Sequence, residues 1–295
     1  MTVLLTIDGT DSTPEMRFRA NPAYGLYHWL RAASVRGGPI EGNGFAEAFE
    51  LVRRSFDRRG VRGMAEPWER AIAQADSHGD ALATFERTYR QTGNDMVEAM
   101  RIAQPAFTSS IWPGQLETIE SAVGLVRRQL ASVFAEMARK HAVLLDLDWP
   151  PVIDVYLVGD FGGFEGAYSH PLTVDVNQHN GLTLFETILH EATHVADVNG
   201  KVRGYSSVGD RLMAFLASER LRRGGFDVWH AVIFASSAAR VRSCFGDGYP
   251  DYASERGLFR VFGVPGVAEI WNVFEGNRDE ARFFGAIRQD VRANQ

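Results

Sequence analysis

Two histidines four residues apart, His190 and His194, flank Glu191 in the stretch LFETILHEATHVADV, Leu184 to Val198. On a helix, residues at i and i+4 stack one turn apart, so two imidazoles can share one ion at the usual zinc–nitrogen distance of about 2.0–2.1 Å. A carboxylate beside them can hold a metal-bound water and take its proton as that water attacks a carbonyl. These residue types at this spacing suggest Zn2+ as the cofactor, His190 and His194 as metal ligands and Glu191 as the catalytic base of a hydrolase.

Such chemistry requires a helix. Thr183 followed three residues later by Glu186 reads as a capping box, and Asn199-Gly200 reads as a stop. At about 100° per residue, Phe185, Ile188, Leu189, Ala192, Val195 and Ala196 gather on a broad apolar side, leaving Thr187, His190, Glu191 and His194 on the other. The histidines are therefore expected to face away from the core.

The run His190, Glu191, Ala192, Thr193, His194 resembles the active-site helix of the zincin (HExxH) zinc metallopeptidases, over residues from about 150 to 245. The resemblance implies a metallopeptidase acting on a peptide or protein substrate, and a mixed sheet lying over the helix. It also implies an edge strand that takes the substrate backbone as an added strand, for which Leu172 to Asn177 is the matching segment. Metzincins are disfavoured, because Asp197 and Gly200 stand where their longer motif has a glycine and a histidine.

A catalytic zinc site takes three protein ligands and a water, so a further ligand must come from elsewhere. His230, in FDVWHAVIFASSAARV, is the only histidine after the motif and is favoured as a metal ligand. Its Trp229-His230 pair loosely resembles uncharacterised bacterial zincin-like proteins in which such a pair opens the helix after an HEAxH helix. The alternative is Glu219, which fits the following-helix glutamate of gluzincin-type zincins and shares a face with Val208, Leu212 and Phe215. Its rival role is an i+4 pair with Arg223. Asp197, one turn past His194, suits the orientation of an imidazole or a surface cap, and Tyr252 and His170 are candidate oxyanion donors. His28, His78 and His179 have no partner at recognisable spacing and read as surface or packing residues; His141 reads as a packed or helix-end histidine.

The elements that must position these groups fall into two halves. Residues 22 to 145 carry helical periodicity, clearest where Ile119, Val123, Val126, Leu130, Phe134, Met137 and His141 recur at three- and four-residue steps in one long packing helix. Shorter helices are expected around Tyr24–Ala33, Phe45–Phe56 and Asp80–Tyr89. After Asp146, runs at Val152–Val158 and Leu172–Asn177 read as strands around a Gly-rich connection carrying Phe161, Phe164 and Tyr168, and helices return from Thr183. The expectation is a mostly helical α+β fold: a helical N-terminal lobe, 1–148, and a zincin-like catalytic lobe, 149–295, with the active-site helix under a small mixed sheet.

Composition narrows the partners. A net charge of -6 with interspersed signs offers no basic stripe for nucleic acid. No run of about eighteen apolar residues suggests a membrane helix. The N-terminus MTVLLTIDGT reads as a strand rather than a signal peptide, which points to the cytoplasm as given, or to a secreted or periplasmic protein if a leader was removed. Cys244, the only cysteine, excludes an intrachain disulfide and reads as a small core residue. Besides peptide hydrolysis, a nonpeptidase metal-dependent hydrolase and a non-catalytic metal-binding or scaffold protein fit the same residues. Endo- versus exopeptidase action, substrate and oligomeric state are not legible.

Overall fold

The computed structural model describes residues 2–36, 45–57, 72–75, 78–88, 94–160, 166–219, 221 and 225–294. These form an α+β fold, mostly helical, with a small open mixed sheet. The chain divides into two compact units, each discontinuous in sequence: Met1–Ile7, Met16–Arg128 and Ile153–Asn180 in the first, and Asp8–Glu15, Gln129–Val152 and Gly181–Gln295 in the second.

The first unit carries the sheet. Strands β1 (Thr2–Ile7), β2 (Glu15–Ala20), β3 (Val152–Val158), β4 (Ala167–Ser169) and β5 (Leu172–Asp175) lie in the order β1-β2-β3-β5-β4. In β2, Met16, Phe18 and Ala20 alternate inward, as a strand with one core-facing side requires. β5 runs parallel to β3 and antiparallel to β4. The expected substrate edge at Leu172–Asn177 is therefore corrected: β5 is paired on both sides and wholly buried, so it has no free ladder to offer an added strand. Helices α1 (Pro22–Arg36), α2 (Phe45–Asp57), α3 (His78–Thr88), α4 (Asn94–Ala106) and α5 (Trp112–Leu125) belong to this unit, with a π-helical turn, Phe107–Ile111, between the last two. Tyr24, Tyr27, Trp29 and Leu30 of α1 meet Met96 and Met100 of α4, and Tyr156 and Val158 of β3, in its core.

The long helix expected through 113–145 is broken. α5 passes into a π-helical turn, Val126–Leu130, and a further turn before α6 (Phe134–Leu145). All seven residues of the periodic stripe are nonetheless buried. Periodicity reports which side is covered, and a widened turn leaves that side covered, so the break is invisible to it.

In the second unit follow α7 (Gly181–Val202), α8 (Val208–Ser218), α9 (Gly225–Phe245), the short α10 (Tyr252–Glu255) and α11 (Leu258–Val261), α12 (Val267–Asn277) and α13 (Glu280–Ala293). Leu212 and Leu216 of α8, Val228, Trp229 and Val232 of α9, Trp271 of α12, and Phe283 and Ile287 of α13 share one core. α9 is buried on nearly every side, from Ala231 through Val241 without interruption, which makes it the central helix of this packing. No helix among the described residues is long and apolar enough to cross a membrane.

Candidate metal centre

The helix carrying the motif differs from its expected form at both ends. α7 begins at Gly181, and Glu186 does not act as a capping-box residue: it is fully buried and accepts from the Tyr249 hydroxyl at 2.6 Å and the Tyr252 backbone N–H at 3.2 Å. Burial pushes its carboxyl up to about 7, against the lowering effect of those two hydrogen bonds. At the other end the helix runs through Asn199-Gly200 to Val202, and the left-handed turn falls at Gly204, where φ is 81°. Every residue from Leu184 to Thr193 is buried, so the motif does not lie on a solvent side. His190 is 1% exposed, whereas His194 is half-buried.

α9 supplies the third imidazole. His190, His194 and His230 each place one ring nitrogen so that all three lie within 4.8 Å of one another. Ring centroids are 5.0 Å apart for His190–His194 and 4.8 Å for each of the other two pairs. Aromatic side chains flank the rings: Phe234 lies 3.9 Å from His190, Phe262 stacks on His230 at 5.3 Å, and the exposed Phe226 lies 6.1 Å from His194. Burial holds His230 down at about 4, against the raising influence of Asp227, so its ring is neutral at pH 7. A neutral imidazole keeps the lone pair that a metal needs. This is a His-based site capable of binding a divalent metal ion.

The other candidates fall elsewhere. Glu219 caps the end of α8 and pairs with Arg292 at 2.7 Å and Arg288 at 3.4 Å, both on α13, which removes it as a metal ligand. Arg223, its expected partner, lies outside the described residues. Asp197 is buried and accepts from the Trp229 indole N–H at 2.7 Å. Burial raises its carboxyl above the usual range, and the bond from Trp229 opposes that rise. Tyr252 is buried, with its backbone on Glu186 and its ring beside Phe234; His170, in the first unit, meets the Ser169 hydroxyl at 2.9 Å.

His141 is a packed histidine: its Nε2 stands 2.8 Å from the Thr193 hydroxyl, which itself donates to the Leu189 carbonyl, so the ring donates through Nε2. Burial drives it down to about 3, with Arg240 adding to the effect. His28 and His179 are buried within the first unit, where His28 meets the Tyr168 hydroxyl at 3.2 Å. The side chain of His78, and Phe161 and Phe164, lie outside the described residues. Cys244 is half-buried rather than a core residue.

No family model, curated protein or solved structure matches the chain. The zincin metallopeptidase expected from HEATH is corrected to what the geometry supports, a three-histidine metal site with no specific support for peptide hydrolysis. Among the described residues the donor group consists of three imidazoles, and Glu191, buried next to His190 in the chain, contributes no oxygen to it. A metal-donor cluster of this kind does not by itself support peptide hydrolysis, and the strand expected to hold the substrate has no free edge. The assignments of Glu191 as catalytic base, and of Tyr252 and His170 as oxyanion donors, go with that mechanism.

Two features that the motif alone does not reveal are the Asp197–Trp229 hydrogen bond and the flanking aromatic rings. Phe226, His230 and Phe234 recur at four-residue steps, a spacing that announces one helix face and could have been read as such.

Proposed function

We propose that this protein is a metal-binding protein that holds one divalent transition-metal ion, zinc foremost, on His190, His194 and His230. The observation that carries the reading is the convergence of three imidazole nitrogens from two helices within 4.8 Å. Imidazole nitrogen suits zinc, copper, nickel and iron, whereas calcium and magnesium prefer oxygen donors, so the donor set itself selects the class of ion. Contraction of the three nitrogens onto an ion at about 2.0–2.1 Å would tie α7 to α9 at one point. Three protein donors leave a fourth tetrahedral position for water or an exogenous group.

Equilibrium dialysis of metal-stripped protein against zinc, cobalt, nickel, copper, calcium and magnesium tests the reading. The expected result is one equivalent of zinc and of the neighbouring transition metals, with no retention of calcium or magnesium. Failure to retain any transition metal, or equal retention by a variant in which His190, His194 and His230 are all alanine, would dismiss it.

A further inference from the structure

We infer that Asp197 and Trp229 form a positioning pair that sets the rotation of α9, and with it the aim of His230 at the other two imidazoles. The inference rests on the metal-binding reading above and concerns how that site is held together.

α9 has a particular difficulty. Because it is buried on nearly all sides from Val228 to Val241, its apolar pattern does not choose one rotation about its axis over another. A turn of about 100° moves each side chain into the place of its neighbour, which still buries apolar surface but carries His230 off the cluster. Something other than hydrophobic burial has to fix the phase.

Trp229, the residue before His230, has two contacts of the required specificity. Its indole N–H is held by Asp197 Oδ2 at 2.7 Å, with both side chains buried. Its ring lies against Gly209 of α8, where an added Cβ would come within 2.3 Å of the indole Cε2. A buried donor without its acceptor is costly, so wrong rotations of α9 are penalised by the loss of this bond beside His230, as they are farther along the helix by the loss of the ion pair between the buried Arg240 and Glu275. Asp197 also stands three residues past His194 on α7, so the acceptor that fixes α9 is carried by the helix that bears the other two imidazoles. The pair thus transmits the geometry of one helix to the third histidine of the other, the role that outer hydrogen-bonding partners fill around metal sites.

The test compares wild type with Asp197→Ala, Asp197→Asn, Trp229→Phe and Gly209→Ala, reading zinc dissociation constants by chelator competition and the melting of the metal-free protein by circular dichroism. Asp197→Ala and Trp229→Phe are expected to weaken zinc ten- to hundredfold. Asp197→Asn, whose amide oxygen accepts the same N–H, is expected to stay within a few-fold of wild type. Gly209→Ala, which wedges the ring without altering either bonded group, is expected to weaken zinc in the same direction. Should Asp197→Ala fail to fold, Trp229→Phe read beside Asp197→Asn still decides the matter, because the first removes the N–H donor while keeping an aromatic ring and the second keeps the bond.

Lowered melting with unchanged zinc affinity in Asp197→Ala and Trp229→Phe would show a purely structural bond and overturn the inference. So would an Asp197→Asn variant as weak as Asp197→Ala. If wild type itself binds no zinc, the metal-binding reading fails first, and that outcome is distinguishable before any variant is made.

Discussion

Ionisation of Glu186 should be visible as a loss of stability with rising pH. The side chain is fully buried; Oε2 is held by Tyr249 and by the Tyr252 backbone, while Oε1 is buried with no hydrogen-bond partner among the described residues. Its carboxyl sits at about 7 in the folded protein against 4.5 for the ordinary group. A raised carboxyl favours folding while it remains protonated, so the stabilisation is complete below pH 4.5 and is lost as pH climbs through 7. At about 1.4 kcal/mol per tenfold difference in proton affinity, the interval corresponds to about 3 kcal/mol. That is a large part of a domain stability of about 5–15 kcal/mol. Urea unfolding of metal-free protein, in a chelator so that no ion contributes, should show wild type losing about 3 kcal/mol relative to Glu186→Gln between about pH 4 and pH 8. The glutamine can still accept from Tyr249 but has no proton to lose. Parallel pH profiles for the two proteins would refute the claim that this carboxyl is buried and protonated near neutrality.

The buried imidazole of His141 acts at the acidic end: held at about 3 rather than 6.5, it excludes a proton that the unfolded chain accepts. Its stabilisation is therefore present above pH 6.5 and falls with pH, by about 3 kcal/mol at pH 4.5, in chelator-treated wild type but not in His141→Gln, as urea unfolding at the two pH values would check. Glu219→Ala should leave zinc affinity unchanged in dialysis, because Glu219 is committed to Arg288 and Arg292; a tenfold loss would restore it as a ligand. Ser207 caps α8, accepting from the Asp210 N–H while the Asp210 carboxylate accepts from the Ser207 N–H, so Ser207→Ala should lower unfolding free energy by about 1 kcal/mol, measured by denaturant titration.

The parts of the site that could be read in advance are those with local causes. His190 and His194 meet because i and i+4 are adjacent on any helix, and that much needs no tertiary information. His230 stood out as the remaining downstream histidine and through its Trp229-His230 pair; its aim depends on the rotation of α9, which no apolar period specifies in a helix buried on nearly every side. Glu219 illustrates the opposite error. Its place on an apolar face suggested an inward role, but the side chains that neutralise it are on α13, 69 and 73 residues later. Likewise, the strand at Leu172 was legible as a strand, yet its interior place comes from the order β3-β5-β4, a consequence of pairing between distant segments. Glu186 looked like a cap three residues after Thr183 until burial by Tyr249 and Tyr252, more than sixty residues on, claimed it.

The central claim, that three imidazoles from α7 and α9 hold one ion, is tested most directly by zinc-edge X-ray absorption on the one-to-one zinc complex. Three imidazole nitrogens and one further light atom at about 2.0–2.1 Å are expected, with one imidazole fewer in His230→Ala. A first shell of carboxylate and water oxygens with no imidazole scattering, or a spectrum unchanged by His230→Ala, would contradict it.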